Sequence, residues 1–171
     1  MDVTNHVEKL NNLIKDVKFA MLTTATADGT LHSRPMATQQ ADEQGNLWFF
    51  TGQHSTKVAE VQTERHVNVS YAEPDDNRFV SVSGTVEVSN DRAKMEELWN
   101  PMYKAWFPKG LEDPEIALLK VHVTEAEYWD PPNGKMVQLA GFVKAVATGK
   151  PYKAGEDEHA KIDFETGKKI A

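Results

Sequence analysis

A chain of 171 residues is near the usual size of one domain and can bury a sizeable core without covalent staples. The absence of cysteine excludes disulfides, thiolate nucleophiles, zinc–thiolate sites and protein-ligated iron–sulfur clusters. A net charge of −7, a charged stretch from Met1 to Lys18 and apolar runs of only a few residues argue against nucleic acid, a signal peptide and a membrane span. A single-domain cytoplasmic protein is the expectation.

Val7, Leu10, Ile14 and Val17 recur at helical spacing, so a first helix is expected, with Thr4 able to cap it. Phe19 to Thr24 is short, apolar and Thr-rich, a strand signal. Asp28-Gly29 marks a hairpin, because glycine tolerates positive φ, and Leu31 to Gln40 is the returning strand. Pro35 within it donates no backbone hydrogen bond, which assigns this strand to an edge or a bulge. Leu47 to Thr51 reads as a compact aromatic strand ended by Gly52. Ser55 can cap a short helix with Val58 and Val61 inward. Val67, Val69 and Tyr71 alternate with polar residues, and Phe79 to Val88 alternates again after the turn residues Glu73 to Asn77. A third helix is capped by Asn90 or Asp91 and keeps Met95, Leu98 and Trp99 on one side. Leu118 to Trp129 is a last long strand, and Met136, Leu139, Ala140, Val143 and Ala147 give a fourth helix. The order suggests an antiparallel barrel of α+β class over residues 1–149, with residues 150–171 a charged C-terminal tail.

Chemistry concentrates between Leu31 and Lys57. His32, Ser33, Arg34, Pro35 and Met36 share one strand, Phe50 and Thr51 end the next, and Ser55, Thr56 and Lys57 open a helix. This combination suits a phosphomonoester. A helix N-terminus offers unpaired N–H groups and positive partial charge, and the hydroxyls of Thr51, Ser55 and Thr56 can donate. Lys57 supplies a point charge, and Arg34 a planar fork for two oxygens. No histidine pair has His-x-x-x-His spacing and no cysteine accompanies one, so no metal is expected. Glu96-Glu97, Asp75-Asp76 and Glu156-Asp157-Glu158 read as solvated clusters, and no Walker, Rossmann or Gly-x-Ser-x-Gly pattern occurs.

Ser33-Arg34-Pro35-Met36, Leu47-Trp48-Phe49-Phe50-Thr51 and Ser55-Thr56-Lys57-Val58 come in a telling order. So do Phe79 to Gly84, Asp91-Arg92 with Leu98-Trp99, Trp106 to Gly110, and Glu127 to Asp130. In order and spacing the set resembles the FMN-binding split barrels related to pyridoxamine 5′-phosphate oxidase, and within them the bacterial general stress proteins. The resemblance spans Phe19 to Trp129. It implies a split β-barrel and a homodimer with FMN at the subunit interface. It implies that Arg34 and Lys57 contact the phosphate, that the strand of Arg34-Pro35-Met36 runs along the flavin, and that Phe50-Thr51 lies close by. Trp106 is a candidate wall of that site from the partner subunit.

The chain departs from true pyridoxamine-phosphate oxidases. Gln39 stands where those enzymes have a substrate-side lysine, and the last residues, Glu165 to Ala171, lack their Arg-Leu-x-Pro ending. Three functions stay open at this point: an FMN flavoprotein passing electrons to an unidentified acceptor, a B6-type oxidase with an altered substrate site, and a non-catalytic flavin-storage module.

Overall fold

The alternating strands curl into one antiparallel sheet in a computed structural model that describes residues 3–130, 146 and 159–170. β1 (Phe19–Ala25) and β2 (Leu31–Ala37) form the expected hairpin. Its turn closes because Gly29 takes φ 86° and because Asp28 Oδ1 accepts from the Thr26 hydroxyl at 2.5 Å and the Thr30 amide at 3.0 Å. β2 ends at Ala37, three residues before the expected Gln40, and lies at the sheet edge, where Pro35 faces Met21 of β1 on one side and has no ladder on the other.

β3 (Leu47–Gly52), β4 (His66–Glu73), β5 (Arg78–Ser89) and β6 (Ile116–Trp129) follow. The ladder order is β2–β1–β4–β5–β6, and β6 also pairs with β3 from Ile116 to Val121. β2 comes near β3, yet no ladder joins them among the described residues. The curled sheet is therefore a barrel split between β2 and β3. At Ser83/Gly84 the β5–β6 register shifts, and a Cβ on Gly84 would stand 2.2 Å from the His122 carbonyl oxygen. Only glycine permits that approach.

The barrel is filled by the inward rows of its strands, among them Leu22, Val69, Val82, Leu119 and Val121, all 0 % exposed. Each such side chain contributes roughly 1.5–3 kcal/mol of apolar burial. α1 (Val3–Ile14) covers one end with Val7, Leu10, Leu13 and Ile14. The helix already includes Thr4, which is therefore not its cap, and it stops before Val17, which is buried in the following loop.

A second, smaller core explains the unbroken aromatic run of β3. Leu47 and Phe49 point into the barrel, whereas Trp48 joins Met95, Phe107, Ile116 and Leu118 on the outside, with Phe50 packed against that group. α3 (Arg92–Leu98) and the 3-10 turns at Pro101–Ala105 and Gly110–Glu112 roof this cluster. Asp91 is the cap of α3, its carboxylate accepting from the Lys94 amide at 3.1 Å.

The charged segment expected to trail from the domain instead adds strands over part of its length. β7 (His159–Asp163) pairs with the second half of β6, Trp129 opposite His159 and Glu125 opposite Asp163, and β8 (Lys168–Lys169) pairs with β7. Ala160 and Ile162 alternate with charged residues, so one face of β7 is buried while composition alone reads as solvated. Phe164 packs under the loop at Gly45, and His6 Nε2 lies 3.0 Å from the Gly167 carbonyl oxygen. The boundary near Gly149 and the helix expected from Met136 to Ala147 lie outside the described residues, except Val146, whose backbone is helical.

Candidate functional site

The split between β2 and β3 opens a cleft of about 410 Å³. Phe19, Pro35, Met36 and Ala37 line it from the hairpin, and Phe50, Thr51 and Gly52 from β3. Lys57 enters from α2 (Thr56–Thr63), and Tyr103, Trp106, Phe107 and Glu115 close the far side. Of the residues singled out in the sequence, Pro35, Met36, Phe50, Thr51, Lys57 and Trp106 therefore meet in one cavity.

Its wall is aromatic. Phe50 and Tyr103 have ring centroids 4.9 Å apart, and Phe50 also meets Trp99 edge-on at 5.9 Å. The Tyr103 hydroxyl accepts from Gln39 Nε2 at 2.5 Å, which fixes the ring, and burial pushes that phenol's pKa up. Trp106, expected to reach the site from the partner subunit, lines this chain's own cleft and stands at its rim, 67 % exposed.

The polar end is built at the start of α2. Ser55 occupies the cap position, yet its side chain makes no cap hydrogen bond and its Oγ lies 3.2 Å from Thr51 Oγ1. The first N–H groups of a helix have no intrahelical acceptor, so the Thr56–Lys57 end presents donors together with the Thr51 and Ser55 hydroxyls. Thr56 itself is exposed. Burial holds the Lys57 ammonium below its usual pKa, and the neighbouring Arg34 charge pushes the same way, while Glu60 opposes both.

Arg34 and His32 are not among the residues lining the cleft; Arg34 lies near enough to act on the Lys57 charge, and both are anchored by a group that the sequence pattern had not marked. Glu60, one helical turn after Lys57, is 8 % exposed. Its carboxylate accepts from Thr24 Oγ1 at 2.5 Å, His32 Nδ1 at 2.7 Å and Arg34 Nη2 at 2.8 Å. Arg34 Nη1 also donates to Thr24 Oγ1 at 2.8 Å. The bonds from Thr24 and His32, strengthened by the Arg34 cation, hold the Glu60 pKa down at about 2. A carboxylate so depressed only accepts, so His32 Nδ1 carries the proton in this contact. Ser33 alternates to the opposite face of β2, 2.7 Å from the Thr23 hydroxyl, and does not join the cleft.

Around the cleft, sequence reasoning missed Phe19, Ala37, Gly52, Tyr103, Phe107 and Glu115, and beside it Thr24 and Glu60. The spacing Lys57-x-x-Glu60 was the available sign for one of them, since residues three apart share a helix face.

Among the described residues no three His, Asp or Glu side chains could hold a metal ion, and no helix is long and apolar enough to cross a membrane. The arrangement offers a largely apolar, aromatic-walled cleft with a cationic end bearing the Thr51 and Ser55 hydroxyls.

A family model described as pyridoxamine 5′-phosphate oxidase like matches residues 5–153. Protein bli-3 of Neurospora crassa is 30% identical over 155 residues, spanning 85% of this chain and 74% of that protein. A Jannaschia sp. structure, described as a candidate general stress protein 26, is 25% identical with a TM-score of 0.74, covering 93% of this chain and 98% of that one. The general stress FMN/FAD binding protein of Xanthomonas citri is 30% identical with a TM-score of 0.62, covering 72% of this chain and 89% of that one.

Proposed function

The chain belongs to the pyridoxamine 5′-phosphate oxidase-like family, and from that premise we propose that it is an FMN-binding flavoprotein of the general stress type, active in electron transfer. The observation that carries the reading is the cleft at the barrel split, aromatic along its wall and cationic at the N-terminus of α2. Its volume falls in the range of roughly 300–1,000 Å³ typical of small-molecule sites.

In this reading Lys57, Arg34 and the hydroxyls of Thr51, Ser55 and Thr56 hold the phosphate. Pro35 and Met36 lie along the ring system, and Phe50 and Trp106 shield it from water. Bound FMN supplies one- and two-electron redox chemistry, while the protein supplies binding and tuning. Gln39 is spent on the Tyr103 hydroxyl rather than on a substrate anion, which favours this reading over oxidation of a B6 phosphate.

A homodimer with the flavin at its interface belongs to the same proposal. The outer face of the sheet carries Phe19 at 59 % exposure, and Met21, Phe79 and Trp129 at 40 % each. The register continues this face through Pro35, Met21, Ser70 and Ser81, small or apolar side chains, before it reaches Glu127. Exposed apolar side chains gathered on one face commonly mark an interaction site. Phe19 and Pro35 belong to this face and to the cleft alike, so a second copy seated there would also wall the cleft.

Titration of the purified protein with FMN tests the reading. The expected result is a saturating shift of the flavin absorption bands with one FMN per chain, and reduction of that flavin by NADH or NADPH with onward transfer to an added acceptor. An unshifted flavin spectrum would sink the proposal. Bound flavin that no reductant reaches would leave a storage protein.

A further inference from the structure

We propose that Glu60 is a positioning residue that aims Arg34 at the phosphate; the inference rests on the cleft being an FMN site.

Glu60 cannot bind a phosphate itself, because an ionised carboxylate has only acceptors to offer. Its role therefore runs through its donors. Thr24 has one hydroxyl proton, and at 2.5 Å it goes to Glu60. The Thr24 oxygen is then left to accept from Arg34 Nη1 at 2.8 Å, while Glu60 Oε2 takes Arg34 Nη2, also at 2.8 Å. The polarity of this small ring is fixed, and two points define the guanidinium plane. A guanidinium has five N–H groups, so three remain for another acceptor. Without the anchor, Arg34 would hang from an edge strand with the rotamer freedom of a long side chain.

The charge balance points the same way. Arg34 and Lys57 are two cations around one carboxylate, and His32 gives that carboxylate a further donor. The surplus is positive, which suits a phosphate and is indifferent to a neutral ligand of the same shape. Glu60 and Lys57 share a face of α2, so the element that presents the lysine also fixes the arginine.

Dissociation constants for FMN and riboflavin, measured on wild type and on Glu60→Gln, test the assignment, because riboflavin has the ring system without the phosphate. Loss of the charged anchor should weaken FMN about tenfold and leave riboflavin within about twofold. In an Arg34→Ala background the same substitution should change FMN little, since its effect passes through Arg34. Thr24→Val, which removes only the bridging hydroxyl, should weaken FMN selectively by about threefold, and it carries the test if Glu60→Gln does not fold. Equal weakening of both flavins, or a fall in melting temperature with both affinities intact, would reduce Glu60 to a structural tie and overturn the proposal. Tighter FMN binding by Glu60→Gln would overturn it too, showing a carboxylate that repels the phosphate. Wild-type protein that ignores both flavins would instead refute the FMN reading beneath it.

Discussion

At the level of single residues, the polar end of the cleft depends on which side chains folding sets beside Lys57. Lys57, Thr51 and Ser55 could be grouped because a strand end and a helix start converge on hydroxyls and a cation, and the structure brings them together. Ser33 could not be told from its neighbours without the register, which turns it to the other face. Glu60 reads as one more solvated acid on a charged helix until folding lays Thr24, His32 and Arg34 against it. Its depressed pKa has a consequence for stability. A carboxyl near 2 when folded, against an ordinary 4.5 when released, stabilises the fold above pH 4.5 and loses that contribution as pH falls towards 2. Acid unfolding followed by circular dichroism should therefore show Glu60→Gln with a shallower loss of stability than wild type between pH 4.5 and 2. Parallel curves would mean that Glu60 titrates as an ordinary surface acid.

At the scale of elements, alternation and turn chemistry carried far. The β1–β2 hairpin, the aromatic strand β3 and the Asp91 cap all follow from local signals that tertiary structure left intact. β7 was not legible, since its inward residues are separated by Lys161 and Asp163 and surrounded by charge. Its burial depends on a free stretch of β6 edge that β3 leaves uncovered, a fact of topology rather than of the segment. Phe164, 8 % exposed, should make this addition measurable: Phe164→Ala is expected to cost about 3–5 kcal/mol in chemical unfolding. A change below about 0.5 kcal/mol would make β7 an unanchored appendage. Gly84 is the other element-level determinant. A methyl group there meets the His122 carbonyl at 2.2 Å, in a ladder that cannot yield without losing register. Gly84→Ala should destabilise by roughly 1–3 kcal/mol or more, and an unchanged melting temperature would contradict the tight β5–β6 approach.

For the molecule as a whole, the sequence led to an antiparallel barrel, and the structure adds why it is split. β6 is long enough to pair with β3 on the half that β7 does not use, which brings β3 round towards β2 and leaves the cleft between them. The aromatic second core under α3 then supplies the cleft's far wall. Neither could be read from local pattern, because both depend on which strands become neighbours. The proposed dimer belongs to this scale as well. A charge set into the apolar outer face, as in Met21→Glu, should yield a monomer in sedimentation equilibrium and weaken FMN at least about tenfold, although the substituted side chain is not among those lining the cleft. A variant that stays dimeric would place the interface elsewhere, and a monomer with full FMN affinity would show that each chain holds its flavin alone.

The FMN and riboflavin affinities of Arg34→Ala, measured by calorimetric titration, show whether the barrel split grips a phosphate. FMN binding should weaken by roughly 2–4 kcal/mol, as when a desolvated charge pair is broken, while riboflavin binding changes far less. Equal losses for the two ligands, or none for either, would contradict that grip.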